Sequence, residues 1–326
     1  MSDPIDILLL LALPASGKSE VRRYLRSLSP RECREDFLLG ETVQLDDYPY
    51  VHLMRRVSQE LRKLGADGVF FDSDDLPMKE ARDWGTLIEL LNEDYDDLQR
   101  KRRAAPESAG AWLLDRFDVA RRKVGAPSTF GLMPSARRRA LIAAIEKDAR
   151  QLLDDKNEGI PESLAGKTVV IEAARGGPDG ATLPLPAPLG YHYSLGVFSD
   201  AILSHATILY VWVTPEESRR KNHERTDPND PGSILHHGVP DAVMFGDYGL
   251  DDMEWLISSS DRPDTVKIET RGRTYHLPVA RFDNRVDKTT FVRAEPSAWK
   301  KEDADALHRG LAEAFHKLAK ASGTKV

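Results

Sequence analysis

Residues 5–13, IDILLLLAL, are an almost unbroken apolar run that stops at Pro14, and from Gly17 onward Val21, Leu25 and Leu28 recur at helical spacing. A buried strand, a tight loop and a helix therefore open the chain. This arrangement constrains the fold more than any other feature, because a buried strand feeding directly into a helix sets the helix N-terminus at the strand's carboxyl end. The apolar stretch is far short of the roughly 20 residues that cross a bilayer, so no membrane span is expected. Asp3 and Asp6 are acidic where a secretory signal needs positive charge, which argues against that reading as well.

The 326 residues suffice for one large domain or a core domain with a substantial insertion. Strand character returns at Thr42 to Leu45, at KTVVIE (residues 167–172) and at TILYVWV (207–213), the last two too continuously apolar or β-branched for half-exposed edge strands. A hairpin is expected where residues 266–270 and 273–279 flank Arg271 and Gly272, and residues 302–319 read as a closing helix. Between Gly85 and Asp154 the periodicity is helical, with breaks near Pro106 and at residues 125–127. The expected fold class is α/β, a mostly parallel sheet with helices on both faces. Residues 1–77 and 161–326 build its core and residues 78–160 form a helical insertion. Residues 226–249, rich in Asp, Pro, Gly and His, have loop composition and are expected to form a lid.

Lys and Arg total 46 against 53 for Asp and Glu, a net charge of -7, so no global basic field draws the chain onto nucleic acid. Any polyanion site must be local. The single cysteine, Cys33, can form neither an internal disulfide nor a thiolate cage for zinc, which fits a reducing compartment and makes the cytoplasm the expected location. Phe71 to Asp75 lacks the Gly and distal Glu of a calcium loop, and His223, His236 and His237 lack helical zinc spacing; a solvated turn and lid residues are the expected readings. The basic groups at residues 100–103, 121–123 and 137–139 are interleaved with acids and read as solvated helical faces.

Residues 12–19, ALPASGKS, resemble the Walker A loop of the P-loop NTPases, with Ala12 standing where the first Gly is usual. The chemistry suits the residues, since successive loop N–H groups and the positive end of a following helix can surround phosphates with donors. The resemblance implies a P-loop fold and ATP with Mg²⁺ as cofactors. Pro14, Ala15, Ser16, Gly17, Lys18 and Ser19 would cradle the nucleotide, with Lys18 on the phosphates and Ser19 on the ion. Ala12 is tolerated if its φ is negative and costs about 1 kcal/mol otherwise.

Residues 169–172, VVIE, are similar to a Walker B strand with Glu172 in place of the usual Asp, which would make Glu172 a metal-side acid. QLDDYPY, residues 44–50, resembles the strand-end acid and aromatics of small-metabolite P-loop kinases such as uridine and nicotinamide riboside kinases. That resemblance implies that Asp46 orients the acceptor hydroxyl and takes its proton. Asp47 is either a Mg²⁺ or acceptor contact or a turn and N-cap residue before Pro49. Residues 213–225 look like the passage into the lid of such kinases, which would make Arg220 and Arg225 the charge-neutralising arginines. Residues 279–291 take the place of an adenine-contacting loop, with Asn284 in that pocket. The implied activity is phosphoryl transfer to a small-molecule or nucleotide-like acceptor, with the insertion of residues 78–160 on the acceptor side, and the residues leave oligomeric state and acceptor identity open. Two alternatives stand beside it: a toxin-like nucleotide-sugar kinase, suggested by Asp46 shortly before an aromatic-His stretch, and a nucleotide-dependent ATPase switch that controls a protein partner docked on the helices.

Overall fold

The computed structural model describes residues 4–225 and 238–321, without the Arg225 side chain. In chain order its elements are β1 (Ile7–Leu11), α1 (Lys18–Ser27), α2 (Pro30–Phe37), β2 (Glu41–Asp46), α3 (Tyr48–Lys63), α4 (Asp83–Arg100), α5 (Ala109–Lys123), α6 (Ser135–Glu158) and β3 (Lys167–Ala173). There follow α7 (Gly190–Val197), α8 (Asp200–Leu203), β4 (Ala206–Trp212), α9 (Pro215–Arg225), α10 (Asp241–Gly246), α11 (Met253–Ser259), β5 (Thr265–Thr270), β6 (Arg273–Asp283) and α12 (Lys301–Ala321).

The six strands form one sheet in the order β2-β3-β1-β4-β6-β5. All neighbours run parallel except β5, which is antiparallel to β6. The apolar run at the start of the chain explains the central place of β1: every one of its residues is buried. Leu9 lies in register with Ile171 on one side and with Ile208 on the other. Alternation sends Ile7, Leu9 and Leu11 into a core with α4, α7 and α11, and Leu8 and Leu10 into a second core with α1 and α12. Helices thus cover both faces, the α/β architecture expected from the sequence.

The helical region shares a third core with the sheet's carboxyl edge. Phe70, Phe117 and Phe130 from the α3–α6 layer pack in the same cluster as Leu13 and Val213, which follow β1 and β4. The residues beyond the strand ends are therefore held by apolar contact with the helical layer.

The hairpin turns at Arg271 and Gly272, both at positive φ (49° and 72°), as a two-residue turn between twisted strands requires. Its second strand runs to Asp283 and joins the main sheet beside β4, four residues beyond the end read from the sequence. Helix α2 was not expected; a capping box starts it, in which Ser29 and Glu32 satisfy each other's N–H groups. Among the described residues no helix is long and apolar enough to cross a membrane.

Candidate functional site

Because β1, β2, β3, β4 and β6 run parallel, the residues that follow them gather at one edge of the sheet, the edge where open α/β sheets bind ligands. The loop after β1 dominates it. Gly17 sits at φ 104°, in the left-handed region, and leads into α1, whose first backbone bond runs from Val21 N–H to Gly17 C=O at 2.8 Å. A Cβ at Gly17 would come within 2.5 Å of Thr289 Oγ1 and 2.9 Å of Asn284 Nδ2. Ala12 is not among the positive-φ residues, so a side chain there carries no backbone strain; Ala15, at φ 54°, is the strained non-glycine position of the loop. Gly17→Ala is accordingly expected to cost about 2 kcal/mol and to lower the melting temperature by several degrees. An unchanged melting temperature would contradict the geometry.

The loop carbonyls are gripped from three directions. Asn284 Nδ2 donates to Ser16 O at 2.7 Å, Ser218 Oγ to Pro14 O at 2.7 Å, and Tyr191 O–H to Ala12 O at 3.0 Å. Lys18 Nζ folds back onto Ala12 O at 3.1 Å. Asn284 is thus wholly buried behind the loop, in contact with Ser16 and Thr289, and is not among the residues lining the cavity in front of it. Ser16 Oγ is buried and without a hydrogen-bond partner. The leading N–H groups of a helix have no partner within the helix, so the first turn of α1 adds donors at the same place.

In front of the loop lies a cavity of about 200 Å³ that Lys18, Ser19, Asp46, Asp47 and Glu172 all line. Register explains the acids: Asp46 and Glu172 are Cα partners at the ends of β2 and β3. Arg22, one turn along α1 from Lys18, bridges them, 2.8 Å from Glu172 and 3.7 Å from Asp46. Burial, then the negative charges of Glu172 and Asp47, push the Asp46 carboxyl up to about 7, against a bond from Tyr48 N–H that favours its ionised form. Burial raises Glu172 as well, with Arg22 and Lys18 opposing it.

Asp47 occupies the N-cap position of α3 without making a side-chain cap bond. Its carboxylate is instead bound by Arg175 at 2.5 Å. Arg175, only 2 % exposed, also donates to Ser194 Oγ and Ala174 O and lies 5.1 Å from the Trp84 ring centre. Trp84 packs edge to face against Tyr248, and both residues line the cavity.

Arg220, one of the two arginines expected to neutralise charge, does not line this cavity. Arg220 is half-exposed and held by Glu217, at 2.6 Å, and by Glu224, both on its own helix. The Arg225 side chain lies outside the described residues, as do residues 226–237 of the expected lid, with His236 and His237. The remainder of that segment does reach the site, through Val239, Val243, Asp247 and Tyr248. The sequence reading missed Arg22, Arg175 and Trp84. Only Arg22 carried a signal, its i+4 spacing from Lys18, which puts both side chains on one helix face.

Among the described residues, no group of three or more His, Cys, Asp or Glu side chains is arranged to hold a metal ion. No family model, curated protein or solved structure matches the chain.

Proposed function

We propose that the chain is an ATP- and Mg²⁺-dependent phosphotransferase of the P-loop kinase kind, acting on a small-molecule acceptor. One observation carries the reading: the Gly17 turn and the start of α1 open onto the same cavity as Asp46, a carboxyl whose affinity for protons is tuned close to neutrality. The donor set fits a nucleotide tail, with helix-start amides, Lys18 and the orphaned Ser16 hydroxyl at one place. Mg²⁺ takes few protein ligands and keeps waters and phosphate oxygens. Ser19, with Glu172 or Asp47 from the same cavity, is therefore a sufficient protein share.

Bound ATP supplies the phosphoryl group and the ion shields its charge; the rest falls to the protein. In this reading the loop amides and Lys18 hold the phosphate oxygens and Asp46 receives the acceptor's hydroxyl proton. Arg22 offsets part of the repulsion between Glu172 and Asp46, and Arg175 fixes Asp47 against the cavity wall. Transfer through a loose transition state asks mainly for such positioning. The aromatic wall of Trp84 and Tyr248 would exclude water from an acceptor seated there.

The purified protein, incubated with Mg-ATP and a mixture of metabolites, is expected to add one phosphoryl group to at least one hydroxyl compound, read by mass spectrometry. Lys18→Ala should silence the product. Hydrolysis of ATP at the same rate with and without every acceptor would contradict the kinase reading and favour a switch ATPase.

A further inference from the structure

A second cavity, of about 430 Å³, lies on the other side of α1. Beneath it lie the buried sheet residues Leu8, Leu10 and Leu209, and its apolar wall is formed by the half-buried Leu25 and Leu28 at the end of α1. The rim, by contrast, is cationic. Arg22, Arg26 and Arg34 line it, and its one carboxylate, Glu41, is ion-paired to Lys167. Glu172 neutralises Arg22, whereas Arg26 is bonded to the neutral side chain of Gln44 and Arg34 has no ion pair among the described residues. An apolar chamber under two uncompensated guanidinium groups is complementary to an apolar chain that ends in an anion.

We propose that this cavity binds a free straight-chain carboxylate of medium length, with the hydrocarbon against Leu25 and Leu28 and the carboxylate on Arg26 and Arg34. The site is separate from the nucleotide reading, and its occupancy bears on the first cavity: Arg22 lines both chambers, and Gln44 joins Arg26 to Glu172 through bonds of 2.9 Å and 3.4 Å.

Cys33, the only cysteine in the sequence, lines this cavity half-buried and therefore reports on it. The test titrates the full chain, without nucleotide, with hexanoate, octanoate, decanoate and 1-decanol by calorimetry, and follows alkylation of Cys33 by N-ethylmaleimide. Affinity is expected to rise about fourfold for each methylene added along the acid series, and saturating decanoate should slow alkylation by about tenfold or more. The double variant Arg26→Gln, Arg34→Gln should weaken decanoate by about tenfold and leave decanol unchanged. Thr42→Trp, at an exposed edge-strand position on the rim, should block both ligands. Should that variant fail to fold by circular dichroism, the double arginine variant, altered only at the rim, carries the decision. Three results would each overturn the proposal: no binding of decanoate, binding that leaves Cys33 alkylation at its free rate, or decanol matching decanoate in affinity.

Discussion

Replacing Asp46 by Asn is expected to lower acceptor-dependent turnover by about 10²- to 10⁴-fold while making the fold more resistant to heat above pH 7. The two effects share one cause. Burial and the neighbouring Glu172 and Asp47 raise the Asp46 carboxyl from an ordinary 3.8 to about 7. Between those values the folded chain holds a proton that the unfolded chain has released. Stability linked to Asp46 is thus fully present below pH 3.8 and is lost as pH rises through about 7. Asn removes this slope, so wild type and variant should unfold at closer temperatures at pH 5 than at pH 8, with the variant ahead at pH 8. The carboxylate that destabilises the fold is the form able to accept a proton. For the wild type, kcat/KM should therefore climb with pH to a plateau above about 7, and the residual rate of the variant should lack that limb. Asp46 and Glu172 lie side by side in one register pair, so the limb belongs to the two carboxyls together. A variant that keeps the wild-type rate and pH profile would remove Asp46 from the chemistry.

The second large effect is expected at Lys18. Its ammonium group faces the cavity and returns to Ala12 O, a carbonyl that Tyr191 also engages. Lys18→Ala removes a mobile cation from the place where phosphate charge would gather, in a partly desolvated chamber where such a charge counts for more than in water. By analogy with loss of a single transition-state donor, transfer should fall by about 10²- to 10³-fold or more. The melting temperature without nucleotide should barely move, because Lys18 is only partly buried and the loop is gripped independently by Asn284, Ser218 and Tyr191. A coincident collapse of stability would mean that Lys18 acts as a strut of the loop and would leave its catalytic role unsupported.

How far the sequence reaches follows from the range of the contacts involved. Residues 5–13 announce a central strand because nothing but full burial suits such a run, and the opening strand, loop and helix appear as read. The hairpin turn was legible at Arg271 and Gly272. The extension of β6 was not, because Arg281 and Asp283 interrupt its apolar pattern while its backbone pairs with β4, a strand more than sixty residues away. The acids of the site were visible as strand-ending residues, but their partners were not. Arg175 binds Asp47 across 128 positions of sequence, and that bond, not a helix cap, is what the Asp47 carboxylate does. Asn284 was expected in an adenine-contacting pocket, and instead its side chain braces the loop from behind Ser16. Arg220 was decipherable in hindsight: Glu217 at i−3 and Glu224 at i+4 are the spacings at which a helix pairs opposite charges on its own surface.

The central claim is that the loop from Pro14 to Ser19 and the start of α1 hold a nucleoside triphosphate through its phosphates. Equilibrium titration of the purified chain with labelled ATP in the presence of Mg²⁺ tests it most directly. The account predicts saturable binding of one nucleotide per chain, displaced by inorganic triphosphate and strongly weakened in Lys18→Ala. Absence of saturable binding to the wild-type chain, or equal binding by the Lys18→Ala variant, would contradict it.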